Sequence, residues 1–359
     1  MESGTQICNA HASDPFVQRE ISAAPLPRKV VAMTRVHTFL LVLICVGAVS
    51  PAEERQHVIV VIGAEGTAEY GQMFSEWADQ WESAATAGDA TIDVIGRDDR
   101  DDQLQQLQQK MSEAAAIKTA EPLWLVLIGH GTFDGRVARF NLRGPDLSAA
   151  AAAELLAVSQ RPVAVINCSS CSAPFINALS GPNRTVITGT KDGGEIQFAR
   201  FGRYMADGIG NLEADIDRDG QTSLLEAWLF AARRTDEYYK SDGRLATEHS
   251  LLDDTGDNKG TRAEVFEGVR IKQNVKNREA LDGRLARRWH LVRSAAERSL
   301  NADQRTERDR LESELEKLRE RKTEFTEMEY LRQLESILLP LAKLYEEAQP
   351  SSTSDVPQE

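Results

Sequence analysis

Cysteine is scarce in this chain, with four among 359 residues, at positions 8, 45, 168 and 171. A secreted fold stapled by disulfides needs many more. Aromatic residues are few, at 6%, and basic residues are outnumbered, 42 Lys and Arg against 56 Asp and Glu, for a net charge of −14. No basic patch interleaved with aromatics interrupts that balance, so nucleic acid and anionic membrane are excluded as main partners. The apolar run Phe39–Val49 has eleven residues, well below the ~20 needed to span a bilayer.

What is present begins with a leader. Arg35 and His37 precede the apolar run, and small residues follow at Ala48, Ser50 and Ala52. This is the order of a secretory signal. Residues 1–52 are read as a leader, with the start at Met33 and an exported mature chain; the rival reading is an uncleaved N-terminal membrane anchor. Cys8 and Cys45 would depart with the leader, leaving only Cys168 and Cys171.

Downstream, apolar runs alternate with amphipathic stretches. Strands are expected at His57–Gly63, Ala90–Ile95, Trp124–Ile128, Val163–Ile166 and Thr185–Thr190. Helices are expected from Tyr70 through Trp81, over Asp101–Ala115 and over Leu147–Val158, the last opened by Asp146 and Ser148 as caps. Trp77 and Trp81 read as core residues, and Arg136–Leu142 as a short edge hairpin. Such alternation gives an α/β three-layer sandwich around a mostly parallel sheet, over residues 55–278. From 279 to 348 the chain becomes charged and helical. Leu311, Leu315 and Leu318 form one stripe, and Leu331, Leu334, Leu338 and Leu341 a second. Thr326-Glu-Met-Glu329 reads as a capping box between them, giving a C-terminal α-helical hairpin with a kink at Pro340. This hairpin is a candidate surface for a protein partner. The tail, 349–359, reads as disordered.

Two of the strands end on reactive residues, Leu-Val-Leu-Ile-Gly-His130-Gly131 and Val-Ala-Val-Ile-Asn-Cys168-Ser-Ser-Cys171. Ligands gather at the carboxyl ends of such strands. The single helix between them suits one crossover, which sets the strands side by side and makes His130 and Cys168 candidates for a dyad. A CxxC redox pair is a competing reading, but it leaves His130 without a role. Zinc would need more ligands. A serine hydrolase lacks its G-x-S-x-G elbow. An inactive scaffold with a buried thiol is the remaining competitor.

The paired motifs resemble the caspase-fold cysteine peptidases, closest to the legumain (asparaginyl endopeptidase) branch, over about Val58–Ile209. The chain departs from that pattern at Asn167, before the cysteine, and at Cys171, where glycine is expected. The resemblance implies a caspase-like sandwich and a polypeptide substrate. It implies Cys168 as a nucleophile whose pKa is lowered by a helix N-terminus, with His130 as acid and base. The N–H groups of Gly131 and Cys168 become the oxyanion donors. Thr188, Thr190, Lys191, Asp192 and Glu195 would shape the substrate pocket. A Cys168–Cys171 disulfide would block the nucleophile.

A separate signal is the acidic stretch Asp215-Ile-Asp217-Arg-Asp219-Gly220-Gln221-Thr-Ser223-Leu-Leu-Glu226. It fits the twelve-residue EF-hand loop, with Ca2+ held by Asp215, Asp217, Asp219, Gln221, Ser223 and Glu226. Thr222 stands where an aliphatic residue is usual, and Gly208 and Gly210 break the entering helix. The bland alternative is an acidic turn in which Ser223 and Glu226 only cap a helix. Asp253–Gly260 reads as a plain loop, and Glu248-His249 has no assigned role. No organic cofactor is expected. The function read from the sequence is an exported, calcium-modulated cysteine endopeptidase; the competitor is a catalytically inactive, calcium-binding interaction protein on the same fold.

Overall fold

The computed structural model describes residues 55–272 and 281–348. The segments read as a leader and as a disordered tail lie outside the described residues. In chain order the elements are β1 (His57–Ile62), α1 (Ala68–Ala87), β2 (Thr91–Ile95), α2 (Gln103–Ala116), β3 (Leu123–Ile128), β4 (Gly131–Phe133), β5 (Ala138–Phe140), β6 (Leu147–Ser148) and α3 (Ala149–Ala157). There follow β7 (Val163–Asn167), α4 (Pro174–Leu179), β8 (Arg184–Thr188), α5 (Phe201–Gly208), α6 (Leu224–Ser241), β9 (Leu251–Asp253), β10 (Thr261–Arg262), β11 (Phe266–Glu267), β12 (Arg270–Ile271), α7 (Ala295–Ser299), α8 (Ala302–Glu320) and α9 (Glu327–Ala348).

The main sheet runs β10-β9-β8-β7-β3-β1-β2. Strands β2, β1, β3, β7 and β8 are parallel, and β9 and β10 close one edge antiparallel. Every residue of β1, β3 and β7 is buried, as expected of unbroken apolar strands covered on both faces. Alternation along those strands divides the core. Val58, Val60, Trp124, Val126, Ala164 and Ile166 face α1, α5 and α6, together with the buried Trp77 and Trp81. Ile59, Val61, Leu125, Leu127 and Val165 face α2, α3 and α4. The result is the three-layer α/β sandwich with a mostly parallel central sheet. Ala286, Trp289 and Leu291 join the first of these layers.

The edge hairpin read at 136–142 is part of a small separate sheet, β4-β5-β6. Ser148 caps α3 by accepting from Ala151 N at 3.1 Å. Asp146 does not; its carboxylate accepts from Leu142 N at 3.1 Å and closes the preceding turn instead.

The C-terminal hairpin is present. Thr326 and Glu329 form the reciprocal cap at the start of α9, and α9 continues through Pro340 to Ala348. Leu311, Leu315 and Leu318 of α8 are buried. The second stripe is only partly inward: Leu344 is buried and Leu334 and Leu341 half-buried, whereas Leu331 and Leu338 face solvent. The packed face of α9 is thus rotated from the one the leucine spacing indicated. Charges anchor the hairpin: Glu121 holds Arg293 and Arg305, and buried Arg308 reaches Glu297 at 2.7 Å. No described helix is long and apolar enough to cross a membrane.

Candidate active site and acidic loop

Strands β3 and β7 are parallel neighbours, with Leu127 opposite Asn167. Their carboxyl ends therefore lie side by side, and His130 and Cys168 start from the same edge.

His130 is half-buried against Tyr70, Phe74 and Phe198, with ring centroids 4.8, 5.3 and 5.9 Å away. Its Nε2 lies 3.2 Å from the Glu65 carbonyl. A carbonyl only accepts, so that nitrogen carries the proton and, in the neutral ring, Nδ1 is a bare acceptor. Glu65, which follows β1, is itself gripped by Arg143 through Nη2 at 2.7 Å and Nε at 3.1 Å. Its own backbone N–H and Arg143 hold its carboxyl below the ordinary range. The Arg143 guanidinium also donates to Gly96 O at 3.2 Å and to Asp98 O.

Cys168 is placed differently from the expectation. Its N–H donates to Leu127 O at 2.9 Å, extending the ladder by one residue. Side-chain alternation then sends its thiol into the same layer as Ile166, where it is 1% exposed. Gly202 leaves just enough room for it: a β-carbon there would lie 2.7 Å from Cys168 Cβ and 2.9 Å from the Trp77 ring. Burial, and secondarily the charge of Glu248, pushes the thiol pKa up. The helix that was to lower it, α4, begins only at Pro174 and has six residues. Among the described residues no hydrogen bond joins His130 to either cysteine.

The expected oxyanion donors are also engaged. The Cys168 N–H is in the ladder, and the Gly131 N–H points at Ser170 Oγ, 3.3 Å away. Gly131 is required by packing: a β-carbon there would stand 2.1 Å from Ser170 O and 2.8 Å from Ser169 Oγ. Ser169 donates to Asn167 Oδ1 at 2.7 Å. Cys171 takes a left-handed backbone, φ 55°, and its N–H donates to Glu195 O at 3.0 Å. Its thiol is buried, and burial with Asp192 nearby raises its pKa. Both cysteines are free thiols.

The loop after β8 divides by burial. Thr188 and Thr190 are buried, while Lys191 and Asp192 are exposed. Glu195 accepts from His249 N at 3.0 Å and lies 2.5 Å from His249 Nδ1. Beside it, buried Glu248 accepts from Arg200 N, Phe201 N and Tyr239 Oη, each at 2.9 Å. Desolvation raises the Glu248 carboxyl and pushes the Tyr239 hydroxyl up to about 12. Glu65, Glu248 and His249 had no role in the sequence reading, and Glu195 entered it only as a residue of the pocket loop. The available signal was their position, since each stands within a few residues of a strand terminus.

In the acidic loop, carboxylate oxygens of Asp215, Asp217 and Asp219 lie within 4.8 Å of one another. Asp215 folds the loop by accepting from Asp219 N at 3.2 Å and Gly220 N at 3.0 Å. Arg218 and Gly220 both take positive φ, 61° and 89°, making the sharp turn. Desolvation and the Asp217 and Asp215 charges raise Asp219. Of the other three candidates, Gln221 reaches the aspartates directly, donating from N and Nε2 to the Asp219 carboxylate at 3.0 and 3.3 Å. Gln221 Oε1 accepts from Ser294 N at 3.0 Å, and Ser223 caps α6 in a reciprocal box with Glu226. Glu226 is buried, and its Oε1 accepts from Ile216 N at 2.9 Å and Asp217 N at 3.1 Å. Helix α5 ends at Gly208, so no helix runs directly into Asp215. Asp217 is also paired with Arg287 at 3.1 Å.

No family model matches this sequence, and no curated protein does either. Among solved structures, the Drosophila initiator caspase Dronc is similar at a TM-score of 0.37 and 14% identity, over 59% of this chain and 84% of that one. Caspase-1 from Spodoptera frugiperda follows at 0.36 and 8%, over 56% and 87%. A protein from Geobacter sulfurreducens scores 0.36 at 12%, over 58% and 98%.

Proposed function

We propose that this chain is a non-hydrolytic relative of the caspase-fold, legumain-like peptidases, an exported interaction protein that keeps the peptidase strand edge and adds a calcium loop. One observation carries the proposal. The Cys168 thiol is inside the core, its backbone is locked in the sheet, and its pKa is raised. A cysteine nucleophile must instead be an accessible thiolate within reach of its base. Calcium at the acidic loop is supported by three convergent carboxylates, the positive-φ turn and a buried Glu226 at the twelfth position. These are the hard oxygen donors Ca2+ takes, and a cation would offset both the burial and the neighbouring charges that raise Asp219.

Peptidase activity is the second reading, and one observation favours it: the Glu65 carbonyl holds His130 with Nδ1 bare, as a general base must be. An electrophilic thiol probe in reducing buffer separates the two. The non-hydrolytic reading expects Cys168 to stay unlabelled in the folded protein. Rapid labelling that His130→Ala abolishes would establish the peptidase instead.

A further inference from the structure

Helix α9 keeps a second apolar surface that its own chain does not cover. Leu334 and Leu341 are half-buried and Leu344 is buried. Yet Met328 is 72% exposed, Leu331 54%, Leu338 39% and Leu339 61%. At about 100° per residue these four fall in one stripe about 100° wide, beside the packed face. A stripe of this kind, running from Met328 to Leu339 on a helix of 22 residues, is an interaction surface rather than scattered exposure.

Charges within and beside the stripe identify what covers it: Glu335 and Glu346 stand among the apolar residues, and Arg332 and Lys343 stand along one margin. Arg332, Glu335 and Glu346 form no ion pair or hydrogen bond among the described residues, and Lys343 reaches only the exposed Glu347, at 3.6 Å. Arg332 stands seven positions before Leu339 and Glu346 seven after it; Glu335 stands four before and Lys343 four after. The charge pattern is therefore self-complementary about Leu339.

We propose that α9 is a homodimerisation surface, on which a second copy of this chain packs its own α9 antiparallel about a two-fold axis at Leu339. Arg332 then meets the partner's Glu346, and Glu335 the partner's Lys343, each pair occurring twice, as an isologous contact requires. Leu339 stands on the axis, with Ala342 and Leu338 on one flank of the contact. A parallel pairing would set Arg332 against Arg332 and Glu346 against Glu346, which like-charge repulsion disfavours. A lipid surface is a poor occupant. Five glutamates on α9, at 327, 329, 335, 346 and 347, outnumber Arg332 and Lys343, and the whole chain is net negative. This proposal does not depend on whether the strand edge is catalytic.

The test is sedimentation velocity on the full chain across a concentration series to about 100 μM. A concentration-dependent dimer is expected, abolished by Leu339→Asp at the axis. Arg332→Glu should weaken it about ten-fold or more, because two pairs turn repulsive together. Adding Glu346→Arg to the same chain should restore it. A second readout fixes the geometry: with Cys8 and Cys45 replaced by Ser, Leu339→Cys should oxidise to a linked dimer and Met328→Cys should not. A chain that stays monomeric throughout overturns the proposal. So does a dimer indifferent to Leu339→Asp, or one that the double charge swap fails to restore.

Discussion

Gly202 lies so close to Cys168 that a β-carbon on it would stand 2.7 Å from the Cys168 Cβ. The pair holds the end of β7 against α5, and it fixes the thiol as a packing group. Gly202→Ala is expected to overpack this contact and destabilise the fold by about 1–3 kcal/mol. Cys168→Ala, which removes only a sulfur, should cost about 1 kcal/mol. Urea denaturation of both variants checks the order.

Arg143 positions the carbonyl that holds His130, through Glu65. Arg143→Gln should let the His130 ring sample both tautomers, read from its imidazole nitrogen shifts by NMR, where the wild type shows a protonated Nε2. Glu65 titrates below its ordinary value in the folded chain. Its pair with Arg143 therefore adds stability above the unfolded pKa and loses it as pH falls through the folded one. The stability gap between wild type and Arg143→Gln should accordingly narrow in acid.

His290 is buried beside Arg308, Arg293 and Arg287, and burial together with those charges lowers its pKa to about 3. The unfolded chain binds this proton near pH 6.5. Stability from the neutral ring is complete above that value and drains as pH falls toward about 3, at up to about 1.4 kcal/mol per pH unit. Burial raises Asp282 to about 6 and Glu312 to about 7, and both act in the opposite direction. The informative quantity is therefore the difference between wild type and His290→Gln, which should change across this window and be flat above it.

Calcium titration by calorimetry should show one site with Kd of roughly 10−5 to 10−3 M, lost in Asp215→Ala. Glu226→Gln should weaken binding and also uncap α6. A heat signal unchanged by Asp215→Ala would leave the loop as a helix-capping turn.

Much of the fold was legible in the sequence because β1, β3 and β7 are unbroken apolar runs with reactive residues at their ends. Their adjacency followed from the one-helix crossover between them. Side-chain direction was not legible. Whether Cys168 faces the open edge or the core depends on whether β7 gains one more residue of ladder, and the bond to Leu127 decides that. The same limit applied to α9, where the leucine spacing could not tell a packed stripe from an outward one. Asp253–Gly260 read as a plain loop, yet Asp254 there accepts from Gly283, Leu285 and Ala286 N–H groups. Its partners lie some thirty residues away in the chain, a distance over which local pattern carries no information.

The most direct measurement is the rate of Cys168 alkylation in the native protein, set against its rate in denaturant and followed by peptide mass. With the thiol buried and raised, modification should occur only as fast as the chain opens, slowing with added stability and ignoring His130→Ala. A rapid native rate, at neutral pH, that collapses in His130→Ala would contradict the non-hydrolytic account and restore the dyad.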